Sequence, residues 1–232
     1  MKKIIYSFML CLSLVALGSC SDDTTQDTSK VTHFVTFTFN GESVMQIPVG
    51  SSFTDPGVVA MEGTEDVTSS VKVDGTVNAN AIGIYSIQYS AVNQDGFSSS
   101  ATRTVAVYNP SVSTDISGAY TVGKGTFRLR AGVTTAYSGF AVTLTQAAPG
   151  IFLMSDYLGG YYDQRAGYGS TYALTGYMKL NPDNTVEAIT GHVAGWGDDF
   201  TAFKDGKYDP TTGTISYTVS YAGMDFTVIL TK

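Results

Sequence analysis

Apolar and polar residues alternate along most of the chain after residue 30. Phe140, Val142 and Leu144 alternate with small or polar residues, and Tyr217 and Val219 belong to a similar run near the end of the chain. A period of two residues puts successive side chains on opposite faces of a β-strand. The sequence after residue 20 contains no stretch with the i, i+3, i+4, i+7 apolar spacing of an amphipathic helix. The pattern predicts an all-β protein.

Proline and small polar residues at Asn109-Pro110-Ser111 predict a boundary between two β domains, 31–110 and 112–232, because proline cannot donate to a strand ladder. The second domain has sequential strand candidates with short turns, which predict an antiparallel meander that closes into a barrel or folds over as a sandwich. The candidates cover residues 118–123, 126–131, 138–146, 150–156, 171–180, 185–194, 200–204, 213–221 and 224–231.

The first domain carries four short motifs along nearly its whole length. They are Gly50–Gly57 (GSSFTDPG), Gly83–Tyr85, the turn Asn93–Gly96 and Arg103–Val105. Together they resemble a bacterial immunoglobulin-like family that is common in surface lipoproteins, although Asn93 stands where that family often has aspartate. The resemblance implies an immunoglobulin-like sandwich, in which Tyr85 would make a corner hydrogen bond.

The segment from Gly206 to Ile215 resembles the tails of uncharacterised domains in Bacteroidetes lipoproteins encoded near glycan-uptake systems. This resemblance implies a lipocalin-like barrel for the second domain. It implies no settled activity.

The first residues are typical of a sorting signal. Lys2 and Lys3 precede an apolar run that is too short to span a bilayer, and Leu17-Gly18-Ser19-Cys20 resembles the bacterial lipobox. We expect residues 1–19 to be a signal peptide, Cys20 to be lipidated, and residues 20–30 to be a flexible tether on the outer membrane, facing the cell exterior. An ordinary signal peptide is the alternative. Ser21–Asp23 is either an export tag or simply a solvated part of the tether.

Composition excludes several classes of function. Loss of Lys2 and Lys3 with the signal takes the formal charge from −7 to −9, and no basic cluster remains to bind nucleic acid. Of the two cysteines, Cys11 leaves with the signal and Cys20 carries lipid, so no disulfide is expected. No cofactor is expected.

The best candidate for a binding site is the aromatic-rich stretch from Tyr157 to Tyr177, in which the glycine-rich residues between the predicted strands 150–156 and 171–180 form a long loop. Tyrosine and tryptophan offer rigid apolar faces with a polar atom, which suits the faces and hydroxyl rim of a sugar. Trp196, the single tryptophan, is either a sugar platform or a buried plug, and the loop either binds ligand or caps the barrel. The candidate ligand-binding residues are Tyr157, Tyr161, Tyr162, Asp163, Gln164, Arg165, Tyr168, Trp196 and Asp198.

No catalytic motif is found, and we expect no enzyme activity. Asp198 and Asp199 are neighbours that would face opposite sides of a strand, and nothing sets the separation of Asp156 from Asp163. His33 and His192 are expected to be structural. Four acids (Asp55, Glu62, Glu65 and Asp66) contain the oxygens that Ca²⁺ prefers, but their spacing favours a solvated acidic turn and no metal site.

These observations predict a non-catalytic surface lipoprotein. Its first domain would act as a spacer, and its second domain would bind an extracellular ligand, with a glycan favoured. The alternative is a structural or assembly subunit that docks onto an outer-membrane protein partner, with its tyrosines in a protein interface. A third reading is a hydrophobic small ligand inside a barrel with an unfilled interior.

Overall fold

The structure is a computed structural model that describes residues 31–232. The predicted signal peptide, Cys20 and the tether lie outside the described residues. None of the helical segments within residues 31–232 is long and apolar enough to span a membrane.

The first domain is a sandwich of two small sheets. One sheet has the order β1 (Val35–Phe39), β3 (Val58–Glu62), β4 (Glu65–Asp66), and the other has β2 (Val44–Pro48), β7 (Ser98–Tyr108), β6 (Gly83–Val92), β5 (Lys72–Asp74). The hydroxyl of Tyr85 donates to the carbonyl of Ala81 at 2.9 Å, which is the corner bond expected from the sequence.

Two of the four family motifs, the one that ends at Gly57 and the one that begins at Arg103, meet in one buried polar cluster. Arg103 is fully buried, forms an ion pair with Asp55, and donates to the carbonyls of Asn40 at 2.9 Å and Gly57 at 3.1 Å. The Tyr89 hydroxyl donates to the same carboxylate at 2.7 Å. Asp55 therefore compensates the charge of the buried Arg103. The bonds from Arg103 to Asn40 and Gly57 link the two sheets.

The second domain is an antiparallel sheet curled into a half-barrel. Its main path runs β10 (Val133–Ala136), β9 (Phe127–Arg130), β19 (Met224–Thr231), β8 (Gly118–Val122), β11 (Ala141–Ala148), β12 (Ile151–Met154), β13 (Gly176–Leu180), β14 (Val186–Ala188). Strands β17 (Ala202–Asp209) and β18 (Thr214–Tyr221) extend from β19 on its other side. The separate hairpin β15 (His192–Val193) and β16 (Asp198–Asp199) carries Trp196 in its turn.

The curled sheet almost closes where β14 approaches β17. A single antiparallel bridge joins Thr185 to Lys207, and the Tyr208 N–H donates to the Asn184 carbonyl at 2.9 Å. Large side chains fill the interior, including Phe152, Tyr157, Tyr217 and Phe226. This packing fills the interior of the second domain. It therefore argues against the third prediction from the sequence, a hydrophobic small ligand inside the barrel.

The two domains pack together at the turn between β11 and β12. Ala106 of the first domain is buried with Ala148 and Ile151 of the second, and the Gln46 side-chain amide donates to the Ala147 carbonyl at 2.7 Å. Strand β11 leads away from this contact for about 23 Å, from Ala148 to Ala141. The far end of β11 is where the aromatic-rich loop lies.

The all-β class and the immunoglobulin-like first domain are confirmed, and the second domain is a half-barrel. The strand predicted at 138–146 corresponds to β11, and β10 was not predicted. The strand predicted at 171–180 begins only at Gly176, because Ser170–Tyr172 form a short 3₁₀ turn.

Candidate functional site

A buried carboxylate organises the aromatic-rich loop. Asp156 follows β12, and its Oδ1 accepts the N–H groups of Leu158 at 2.8 Å and Leu174 at 3.0 Å, while Oδ2 accepts that of Gly160 at 2.8 Å. Burial raises the pKa of Asp156 to about 6, although the three backbone hydrogen bonds act in the opposite direction. At neutral pH the group is mostly a carboxylate that fixes both ends of the loop.

The loop contains one π-helical turn, Tyr161–Arg165, which is attached to β11. Gly160 precedes it with φ +75°, and a Cβ atom there would lie 2.7 Å from the Cβ of Phe140. Only glycine satisfies both the left-handed backbone and this close approach. The Gln164 side chain accepts the Ala141 N–H at 3.0 Å and donates to the Ala141 carbonyl at 2.7 Å.

The hairpin with Trp196 packs against the end of this loop. The Gly195 N–H donates to the Thr171 carbonyl at 2.8 Å, and the Gly197 N–H donates to the Val193 carbonyl at 2.8 Å. Gly195 lies against the ring of Tyr172, which leaves no room for a side chain. Two segments distant in sequence are therefore held together by backbone contacts.

Three aromatic rings line one shallow cavity of about 250 Å³, which we call the aromatic cleft: Tyr168, Tyr172 and Trp196. Trp196 lies 4.8 Å from Tyr172 and 6.2 Å from Tyr168, measured between ring centroids. Tyr168 is 55% exposed and Trp196 is 43% exposed. The loop and the tryptophan thus share one open concave surface.

Two further tyrosines support the indole from below. Tyr162 packs edge-on against Trp196 at 4.9 Å, and Tyr221 stacks on it at 6.2 Å. The Tyr221 hydroxyl donates to Asp198 Oδ1 at 2.6 Å. Burial, together with this carboxylate, raises the pKa of Tyr221 above its ordinary value, so the hydroxyl stays protonated and remains a donor to Asp198.

Whereas Tyr172 lines the aromatic cleft, Ser170 of the same Ser170–Tyr172 turn lines a second depression of about 260 Å³. Its polar side chains come from the loop and from β11 and neighbouring segments: Thr143, Thr145, Ser155, Asp163, Ser170 and Thr175. Leu153 and Ala173 also line this surface, and most of its area is apolar. We call it the polar depression because hydroxyl and carboxylate groups border it, in contrast to the rings of the aromatic cleft.

The structure divides the predicted site residues into three groups. Tyr168 and Trp196 line the aromatic cleft, and Asp163 lines the polar depression. Asp198 is exposed and accepts the Tyr221 hydroxyl. Gln164 is bound to the backbone of β11, and Arg165 lies over the ring of Tyr161 at 4.9 Å.

The remaining predicted tyrosines face inward. Tyr157 is fully buried and Tyr161 is 5% exposed, so neither can touch a ligand at the surface, which corrects the expectation for Tyr157 and Tyr161. Their rings fill the core because the chain turns inward at Asp156. Tyr162 is half-buried beneath Trp196. Two tyrosines of the site were not among the predicted residues: Tyr172, which lines the aromatic cleft, and Tyr221, which is buried against Trp196.

The histidines and the candidate calcium ligands have protein partners. His192 Nδ1 lies 2.6 Å from Asp199 Oδ1 at the surface, and the His33 carbonyl accepts the Asn93 amide at 2.7 Å. Glu62 accepts the N–H of Gln94, and Asp66 accepts that of Thr68. Across residues 31–232, the structure groups no three acidic, histidine or cysteine side chains in a way that could hold a metal ion.

Each of the two domains matches a known protein family. A family model described as "Bacterial surface protein, Ig-like domain" matches residues 37–107, and a family model of a C-terminal domain matches residues 109–232. The class is therefore an immunoglobulin-like bacterial surface protein with a C-terminal β domain, which agrees with a place at the bacterial surface. No curated protein matches the chain.

Among solved structures, the crystal structure of the lipoprotein BT2262 from Bacteroides thetaiotaomicron is 42% identical, with a TM-score of 0.50. The match covers 86% of this chain and 100% of that one. The chain belongs to the family of this lipoprotein.

Two further solved structures are less similar to this chain. A structure of CBM51-2 in complex with GlcNAc and INT domains from Clostridium perfringens ZmpB is 17% identical with a TM-score of 0.28, covering 51% of this chain and 29% of that one. A protein of unknown function from Bacteroides ovatus is 11% identical with a TM-score of 0.29, covering 64% of this chain and 57% of that one.

Proposed function

We propose that this chain is a lipoprotein anchored to the outer membrane through Cys20, facing the cell exterior, and that its second domain binds a glycan without catalysing a reaction. The observation that carries the proposal is the aromatic cleft of Tyr168, Tyr172 and Trp196. A pyranose presents apolar C–H faces, and flat exposed rings bury such faces favourably.

The aromatic cleft is preorganised for a ligand. Asp156 and Gln164 fix the loop, and Trp196 contacts four tyrosine rings, which restricts its rotation. Binding to a surface already ordered by folding avoids much of the entropy loss that mobile side chains would suffer. Three large rings held in an open concavity are better explained by a ligand than by capping of the half-barrel, which Tyr157 and Tyr161 already accomplish.

Polar groups adjoin the rings. Asp198 accepts the Tyr221 hydroxyl through one oxygen, and a carboxylate has further lone pairs for sugar hydroxyls. Asp163 and Ser170 line the polar depression, which adjoins the Ser170–Tyr172 turn. A ligand that covers both surfaces would be an oligosaccharide, with one ring stacked on Trp196 and the next hydrogen-bonded near Asp163.

The position of the aromatic cleft fits presentation to the medium. The first domain contacts the second at Ala147 and Ala148, while Gln164 contacts the other end of β11 at Ala141. The aromatic cleft therefore lies at the end of the second domain that is remote from the first domain.

The proposal of a non-catalytic role is supported by the environment of Asp156. General acids in glycoside hydrolysis need a carboxyl with a raised pKa that reaches the substrate. The Asp156 carboxyl has a raised pKa, but it is buried and accepts three backbone N–H groups.

Affinity electrophoresis in gels that contain polysaccharides, followed by calorimetry with the oligosaccharides of any that retain the protein, tests the proposal. Trp196→Ala and Tyr168→Ala should each weaken binding at least about tenfold, because each removes a stacking surface. The matched control is Phe97→Ala, an exposed aromatic residue of the first domain, which should bind as the wild type does. Absence of retention on every polysaccharide, or equal binding by the variants, would count against the proposal.

A docking subunit remains the second candidate, favoured by the β9–β10 hairpin. β10 is at the edge of the sheet, and Val133 is 64% exposed there. Arg128 on β9 lies over Tyr161 at 5.0 Å, so the hairpin is at the same end as the loop. Pull-down from native membranes with wild type and Val133→Lys separates the candidates. A partner that only the wild type captures, combined with no glycan retention, would favour docking.

A further inference from the structure

The end of the first domain that is remote from the second domain carries exposed apolar side chains. We call this end the tip and define it by Val31, Phe34, Val92 and Phe97, which are 70%, 56%, 57% and 50% exposed. The two phenylalanine rings pack against each other, with centroids 5.5 Å apart. An isolated exposed apolar residue is ordinary, but a cluster of four at one end of a small domain marks an interaction surface.

A buried amide holds the tip together. Asn93 is 4% exposed; its side-chain N–H₂ donates to the His33 carbonyl at 2.7 Å, and its side-chain oxygen accepts the Phe97 N–H at 2.7 Å. The residue before Phe34 is thereby attached to the β6–β7 turn. The phenylalanine pair is a fixed feature of the fold.

The chain length between the tip and the anchor indicates what covers it. Cys20 precedes Val31 by eleven residues, which span at most about 40 Å when extended and about 17–20 Å on average as a coil. Strand β7 leaves the tip at Ser98 and ends at Tyr108, next to the second domain. The tip is therefore the part of the described chain that is nearest to the bilayer in which a lipid on Cys20 would insert.

We propose that the tip rests on the membrane, with Phe34 and Phe97 at the boundary between headgroups and acyl chains. This inference rests on the lipid anchor of the proposed function. Phenylalanine side chains bind at that depth, and a weak patch adds to a lipid anchor because the two act on one chain. The protein then stands on the bilayer with the aromatic cleft pointing outward.

Acidic groups beside the tip set the kind of membrane it fits. Glu62 and Glu65 line a groove of about 250 Å³ together with Val31, and both are held by Gln94, through its N–H and its side-chain amide. Negative charge next to the apolar pair disfavours an anionic surface. The fitting surface is one without net negative charge, such as phosphatidylcholine.

Site-specific fluorescence on the acylated full mature chain in phosphatidylcholine vesicles tests the proposal. Ser98→Cys at the start of β7 accepts an environment-sensitive dye, and Thr211→Cys, an exposed turn residue of the second domain, is the control position. Acylated Cys20 does not react with the dye. We expect blue-shifted emission and quenching by lipids with brominated chains at position 98, and water-like emission at position 211.

Substitution of the rings gives the decisive comparison. Phe34→Ser with Phe97→Ser should return the emission at position 98 to that in water, while glycan retention and unfolding by urea stay unchanged because both rings are exposed. Val92→Ser should cause part of the same loss. Water-like emission of the wild type in vesicles would overturn the proposal, as would a concentration-dependent shift without vesicles, which would show that a second copy covers the tip.

The outcomes also separate this proposal from the proposed function. A shifted emission at position 98 in a chain that retains no glycan would refute glycan binding alone. Glycan binding with water-like emission would refute the tip contact alone. Mass spectrometry that finds no acyl chain on Cys20, with no retention by vesicles, would refute the anchor and the tip contact together.

Discussion

Gly195 lies directly against the ring of Tyr172, so that a Cβ atom on Gly195 would stand 2.6 Å from the Cε1 of that ring. The glycine belongs to the Trp196 hairpin, and the tyrosine belongs to the end of the aromatic-rich loop. Their contact sets the distance between two of the three rings of the aromatic cleft. The absence of a side chain at one position thus determines the shape of a surface formed by side chains elsewhere.

Gly195→Ala should deform the aromatic cleft without unfolding the domain. The added methyl group forces Tyr172 or the hairpin to move, and the centroid distance of 4.8 Å between Tyr172 and Trp196 changes. Because Trp196 is the single tryptophan, its emission spectrum should shift, and binding of any retained glycan should weaken. Ala194→Ser, an exposed change in the same hairpin, is the control, and an unchanged spectrum for Gly195→Ala would refute the role of the contact.

Asp156→Asn should destabilise the second domain. The amide keeps one acceptor oxygen for the three N–H groups of Leu158, Gly160 and Leu174, so at least one buried donor loses its partner. Hydrogen bonds to a charged group contribute about 1.5–3 kcal/mol each, and the loss should be of that size. Urea unfolding monitored by Trp196 fluorescence measures it.

The matched control for this change is Asp163→Asn in the same loop, which should alter the unfolding free energy by less than about 0.5 kcal/mol. Equal effects of the two substitutions would show that Asp156 does not organise the loop.

The difference in stability between wild type and Asp156→Asn should depend on pH. Burial raises the folded-state pKa of Asp156 from 3.8 to about 6, so between these values the folded protein binds more protons than the unfolded chain. The contribution of Asp156 to the free energy of unfolding is fully present below pH 4. It falls by on the order of 3 kcal/mol as the pH rises through 6. The wild type should therefore lose stability relative to the asparagine variant between pH 4 and 7.

Unfolding by urea at half-unit pH steps checks this sign. Other carboxyls, such as Asp183 and Asp209, have lowered pKa values and act in the opposite direction, but they are common to both proteins and cancel in the difference. A difference that is constant with pH, or that grows in favour of the wild type, would contradict the raised pKa.

The sequence predicted strands best where alternation met a glycine turn. The predicted strands 213–221 and 224–231 agree with β18 and β19 to within one residue, since Ala222 and Gly223 adopt positive φ values and reverse the chain. β9 agrees with the predicted strand 126–131, but β10 was missed because the turn before it, Ala131-Gly132, lacks the Asn-Gly or Asp-Gly signal that marks hairpin turns.

The site was predicted less completely, for a physical reason. Tyrosine and glycine content marked the loop, but period-two alternation says nothing about which rings of an irregular segment face inward. That direction follows from Asp156, which turns the chain toward the core at Tyr157, and no local pattern shows that a carboxylate will be buried. Tyr221 belongs to the site because its ring stacks on Trp196, which is twenty-five residues away in sequence.

Asp55→Ala should be the most destabilising single change in the first domain's polar cluster. It leaves the fully buried Arg103 without its ion-pair partner and removes the acceptor of the Tyr89 hydroxyl, whose pKa burial and Asp55 together raise to about 12. Loss of one partner of a buried pair costs about 3–5 kcal/mol, and the lower figure applies because Asp55 is 23% exposed. Circular dichroism during urea unfolding measures the transition of the first domain.

Two further variants decide whether unpaired charge is the cause of this loss. Glu42→Ala, which removes an exposed carboxylate from the same domain, should change stability by less than about 0.5 kcal/mol. Asp55→Ala combined with Arg103→Met should recover part of the loss, because an apolar side chain of similar length needs no counter-ion. A double variant that is less stable than Asp55→Ala alone would show that Arg103 stabilises the sandwich chiefly through its bonds to the carbonyls of Asn40 and Gly57 and its position over the ring of Phe39.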